Sequence, residues 1–115
     1  VRSTHGIDSL ASLQKRLESE GDRLGSIIAL REWGKALRNE SRFEEALNVH
    51  SKGQQQAEAV GDTLEWVQAL NNIGTDYRRM GVFDVAQEYH YAQRGMCRHL
   101  VHLHEKPSYI TQRTG

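Results

Sequence analysis

Two groups of residues in this 115-residue chain have types and spacings that could do chemistry. The first is Cys97, His99, His102 and His104, one thiol and three imidazoles in a short stretch. Such side chains ligate borderline metals, and His99 and His102 would share one face of a helix, where paired ligands occur. The order Cys-x-His-x2-His-x-His follows none of the common zinc spacings. Packing around an interhelical turn is therefore preferred, and no metal or other cofactor is expected. The second group is cationic and amide-bearing, drawn from the fifteen Lys+Arg and the Asn and Gln side chains between them. Guanidinium and ammonium groups pair with carboxylates, arginine bidentately, and an amide offers a peptide unit both donor and acceptor. That is the chemistry of recognition. For catalysis the sequence would need a nucleophile with a positioned base, a Gly-rich phosphate loop or a His-Glu-x-x-His zinc motif. It carries none of these, and no enzymatic activity is expected.

The elements that position these residues belong to an ordinary globular chain. Fifteen Lys+Arg balance fifteen Asp+Glu, so the net formal charge is zero and no global field draws the chain to nucleic acid or to an anionic membrane. A composition 37% hydrophobic and 26% charged fits one folded domain and is too apolar for disorder. The lone cysteine, Cys97, cannot close an internal disulfide, which favours a reducing compartment and a cytoplasmic location. No apolar run approaches the roughly 20 residues that cross a bilayer, and Val1-Arg2-Ser3-Thr4-His5 lacks a secretory layout. The start without methionine and the finish at Thr114-Gly115 suggest a piece of a longer polypeptide.

Self-similarity supplies the architecture. A shift of forty residues superposes Gly21-Asp22 on Gly61-Asp62, Leu24 on Leu64, Ala29-Leu30 on Ala69-Leu70, and Gly34 on Gly74. Arg38 falls on Arg78, Phe43 on Phe83, Ala46 on Ala86 and His50 on His90, ten identities in one forty-residue window. Chance would give about two or three. Apolar residues recur at helical spacing: Leu24, Ile27, Leu30, Trp33 and Leu37, then Phe43, Ala46, Leu47 and Val49. The second unit repeats this with Leu64, Val67, Leu70, Ile73 and Tyr77, then Phe83, Ala86 and Tyr89. Two helices per unit follow, broken at 39–42 and 80–82. Asp22 and Asp62 are the expected N-caps and Gly81 an expected C-cap, with Ser41 a weaker version. Mid-helix Gly34 and Gly74 cost about 1 kcal/mol against alanine, which predicts a close helix crossing there, with Ala46 and Ala86 as the contacts. His50 and His90 are expected to be packed imidazoles that donate to a backbone carbonyl or a neighbouring side chain.

Leu30-x2-Trp33-Gly34-x2-Leu37 followed by Ala46-x3-His50, and Leu70-x2-Ile73-Gly74-x2-Tyr77 followed by Ala86-x3-His90, resemble the tetratricopeptide repeat. The resemblance covers almost the whole chain, in a form extended to about forty residues from the usual 34 or so. His50, His90, Gly53 and Gln93 depart from the residues customary in its second helix. It implies an all-α superhelix. Residues 1–20 would be the second helix of a truncated repeat, carrying Ile7, Leu10, Leu13 and Leu17, with full repeats at 21–60 and 61–100. Residues 101–115 would begin a further repeat, entering its helix near Pro107.

The same resemblance implies a concave groove lined by the first helix of each repeat, which holds an extended or helical segment of a partner protein. The matching positions are Ile28, Arg31, Lys35, Arg38 and Asn39, then Gln68, Asn71, Thr75, Arg78 and Arg79, with Asn72 adjacent. Five of these ten are basic and none acidic, which predicts an acidic ligand; Glu44, Glu45, Glu58, Asp84 and Glu88 would lie elsewhere. Assembly is the alternative: self-association through uncapped ends carrying Leu10, Leu13 and Leu17, or Met96, Leu100, Tyr109 and Ile110, or stacking through the convex face. A metal site at 97–104 and phosphate-driven RNA binding are weaker readings, the latter because the groove positions lack aromatic stacking platforms.

Overall fold

The computed structural model describes residues 2–105, and the side chains of residues 6–95. The described residues form five helices, α1 (Arg2–Ser19), α2 (Arg23–Asn39), α3 (Phe43–Val60), α4 (Thr63–Met80) and α5 (Phe83–Glu105). Connections of two or three residues force each helix to pack antiparallel to the next, and each does so. One further contact joins α2 to α4, which therefore run parallel, side by side. The extents are 55 × 37 × 18 Å, and the thin dimension admits two helix layers about 10 Å apart. By alternation α2 and α4 form one layer and α1, α3 and α5 the other. No described helix is long and apolar enough to cross a membrane.

Turn chemistry spaces the helices evenly. Gly21, Ser41, Gly61 and Gly81, twenty residues apart, all have positive φ, at 81°, 62°, 77° and 84°. At each turn two N–H groups close back on the preceding helix, as where Gly81 N bonds Arg78 O at 3.0 Å and Val82 N bonds Tyr77 O at 2.9 Å. This satisfies carbonyls that the helix end leaves without partners. Asp22 accepts from Gly25 N at 2.9 Å and Asp62 from Glu65 N at 3.0 Å, so both expected N-caps are present. Arg42 precedes α3 without capping it; its guanidinium instead grips Glu45 at 2.8 and 2.7 Å and holds that carboxyl below its ordinary range.

Ile7, Leu30, Leu37, Ala46 and Val49 form a buried core cluster, with Trp33 and Ala36 packed against it. On the α4 side Val67, Leu70, Ile73 and Ala86 are buried in turn. Three residues counted with the apolar stripes are exposed instead: Leu24 (51%), Leu64 (64%) and Phe83 (65%). Each lies in the first turn of its helix, where side chains lean back toward the N-terminus and off the end of the packed pair. On α1 the buried residues are Ile7 and Gln14, while Leu10, Leu13 and Leu17 are half-buried. Gln14 Nε2 donates to Ser26 Oγ at 3.0 Å, and Ser26 Oγ donates to Gln56 Oε1 at 3.0 Å, so one polar chain ties α1, α2 and α3 together.

Candidate functional site

The mid-helix glycines admit imidazoles. The three atoms nearest a Cβ built on Gly34 all belong to the His50 ring, with Cε1 at 2.7 Å; for Gly74 the nearest are His90 Cε1 at 3.0 Å, His90 Nε2 at 3.1 Å and Tyr89 Cβ at 3.2 Å. The close approach expected at these glycines is present, but the histidine rings make it, where Ala46 and Ala86 were expected. Both alanines are nonetheless buried.

His50 Nδ1 lies 2.5 Å from Asp76 Oδ2. Asp76 is fully buried, and its other oxygen, Oδ1, accepts from Arg38 Nη1 at 3.2 Å. The same nitrogen lies 3.4 Å from both the backbone oxygen and Oδ1 of Asn72. Two turns of helix away from Asn72, Arg31 Nη1 reaches both oxygens of Glu65 at 2.9 and 2.7 Å. Arg31, Arg38 and Asn72, all assigned to a ligand groove from the sequence, thus lie on the seam where α2 and α3 meet α4. His50 Nε2 faces Gly34 and is buried, with no hydrogen-bond partner among the described residues. The cavity bounded by Ile27, Arg31, His50, Gly53, Glu65, Ala69 and Asn72 is about 10 Å³, room for about one water molecule. The cluster is a brace between helices.

The other proposed groove residues lie elsewhere on α2 and α4. Helical spacing sets Ile28, Lys35 and Asn39 on the outward face of α2, and Gln68, Thr75 and Arg79 at the matching positions of α4. Ile28, Asn39, Gln68 and Arg79 are exposed, and Lys35 and Thr75 partly so. Thr75 Oγ1 donates to Asn71 O at 2.9 Å. Glu32 shares this outward face, 3.5 Å from both Arg31 and Lys35, and so offsets part of its positive charge. Asn71 and Arg78 point to the side of α4 away from α2 and are exposed. Near the helix N-termini Leu24, Val60 and Leu64 line one open groove of about 770 Å³ together with Arg23, Asp62 and Thr63. Because α2 and α4 run parallel, their shared face is apolar at one end and bears Lys35 and Arg79 toward the other.

Asp76, Glu65 and Glu32 were missed in the sequence because repeat matching looks for sameness. The forty-residue shift pairs Asp76 with Ala36, Glu65 with Gly25 and Asn72 with Glu32. The available signal was buried-side spacing: Glu65, Ala69, Asn72 and Asp76 fall on one helical stripe. No metal-binding cluster of His, Cys, Asp or Glu occurs among the described residues. The side chains of Met96, Cys97, His99, Leu100, His102 and His104 lie outside them, as do Pro107, Tyr109 and Ile110. The chain matches no protein-family model and no curated protein.

Proposed function

We propose that this chain is a protein-interaction module of tetratricopeptide type, in which the α2–α4 face is the concave side of a helical-repeat superhelix. It holds an extended or helical segment of another protein, in a reducing, cytoplasmic setting. The observation that carries this reading is the polarity of that face, with exposed Leu24 and Leu64 at one end and Lys35 and Arg79 toward the other. A surface of exposed leucines beside cations suits a segment that runs from apolar to acidic residues. Binding, not bond-making, is favoured because the cavity at the buried His50–Asp76 pair is about 10 Å³, while ligand pockets run to about 300 Å³ or more.

Arg31 and Arg38 are held by Glu65 and Asp76, so a ligand carboxylate would compete with internal partners there. Acid preference is therefore assigned to Arg79 and to Lys35, whose 3.5 Å pair with Glu32 is longer and more exposed than those two. A library of short peptides with apolar first halves and acidic or amide second halves tests this by fluorescence anisotropy at low salt. Acidic peptides are expected to bind more tightly than their amide counterparts, and the double reversal Lys35→Glu with Arg79→Glu to weaken them by about tenfold. Equal binding of acidic and amide peptides, or binding indifferent to the reversal, rejects the reading.

A further inference from the structure

The forty-residue register supplies an internal comparison. Arg38 and His50 in one unit correspond to Arg78 and His90 in the next. The histidines are alike in their glycine contacts, His50 against Gly34 and His90 against Gly74. They differ in what they hold. Arg38 and His50 grip Asp76 of α4, and the Arg38 side chain is only 11% exposed. Arg78 is exposed, His90 is half-buried, and neither has an ion pair or hydrogen bond among the described residues. Tyr77 and Tyr89 stack with centroids 5.8 Å apart and so join α4 to α5.

We propose that the α4–α5 edge is a docking site for a helix of a partner polypeptide, which sets a carboxylate between Arg78 and His90. The occupant's chemistry is read from the helix that fills the equivalent place one unit earlier. That helix meets its seam with Ala69-x2-Asn72-x3-Asp76: a small residue beside the cavity at His50, an amide accepting from Arg38, and a carboxylate shared by Arg38 and His50. A partner helix of this kind has a small residue, then an amide three positions on, then Asp or Glu four further. It complements a cation and an imidazole that have no anion among the described residues. A second copy fits poorly, because α2 offers Ala29-x2-Glu32-x3-Ala36, without the amide and without the carboxylate. In the forty-residue register residues 106–115 place Gln112 at the amide position but Tyr109, a large aromatic, where the small residue falls. The site is separate from the α2–α4 face, and neither reading requires the other.

The probe is a capped synthetic peptide of residues 62–80, the α4 sequence, titrated against the full 115-residue chain by anisotropy or calorimetry. It is compared with the same peptide carrying Asp76→Asn. The unmodified peptide is expected to bind about tenfold more tightly than Asp76→Asn, the scale of one desolvated charge pair. Arg78→Ala in the protein is expected to erase that difference, closing a double-mutant cycle. Arg78 is exposed, so the variant keeps its fold, which unchanged thermal melting checks. If the difference persists in Arg78→Ala, the peptide is invading the Arg38–His50 seam and the proposal is wrong. Equal binding of the two peptides, or no saturable binding, also overturns it. So does self-association of the chain that Arg78→Ala abolishes, which would assign the edge to a second copy.

Discussion

Gly34 and His50 fix one another. The imidazole is tethered through Nδ1 to a fully buried carboxylate, so it cannot swing away from a new methyl group at position 34. The His90 ring at Gly74 has no such tether among the described residues, and its nearest atoms are 3.0 and 3.1 Å from the Cβ position. Alanine gains about 1 kcal/mol over glycine in a helix interior. At position 74 that gain offsets a small shift of the ring, and Gly74→Ala is expected within about 1 kcal/mol of wild type. At position 34 the overlap forces either the brace or the helix pair apart, and Gly34→Ala is expected to destabilise by about 2 kcal/mol. Urea melts of both variants check the contrast; equal effects would mean that the tether does not constrain His50. The sequence announced that something must approach these glycines, because glycine is unfavourable there. It did not announce an imidazole, since the Asp76 that positions the ring occurs in only one of the two units.

Helix boundaries were legible because turn chemistry is local. Asp22 and Asp62 cap, and Gly81 turns, where the residues alone place them. The seam was not legible, because Arg31–Glu65 and Arg38–Asp76 join residues 34 and 38 positions apart, a pairing that depends on how two helix pairs rotate against each other. For the same reason first-turn Leu24, Leu64 and Phe83 read as core from periodicity alone, although they overhang the packed pair. Among the four turns, Ser41 is the residue out of place. It sits at φ 62° where the other three have glycine, and its N–H still bonds Arg38 O at 2.8 Å. A residue with a Cβ pays a steric penalty in that region that glycine avoids. Ser41→Gly is therefore expected to stabilise the chain by about 1 kcal/mol. A thermal-unfolding series checks this, and a loss of stability would show that serine makes an interaction at the turn worth more than the strain.

At the scale of the whole molecule, each helix rests on its neighbours in sequence, with α2 against α4 as the one additional contact. Among the described residues polar links cross between helix pairs at two seams, and at the α2–α4 seam the Arg31–Glu65 pair stands beside the brace. The Gln14–Ser26–Gln56 chain fastens α1 to α2 and α3, and the Arg38–Asp76–His50 brace fastens α2 and α3 to α4. The brace is ionic and nearly dry, so removing its centre leaves His50 without its partner and Arg38 with only the longer contacts to Asn72. Asp76→Ala is expected to cost about 3 kcal/mol on that account. The loss should also be directional, because the first link does not depend on Asp76. Native-state hydrogen exchange reads this out, since amides in one cooperative unit share one opening free energy. In the wild-type chain α2, α3 and α4 are expected to exchange most slowly, flanked on both sides by packed helices. In Asp76→Ala, α4 and α5 should exchange faster than α1 to α3, splitting one unit into two at the seam. Uniform acceleration across all five helices would instead mean that apolar packing and the remaining Arg31–Glu65 pair couple the helix pairs, and that the Asp76 brace chooses the register of α4 on α2 without holding it there.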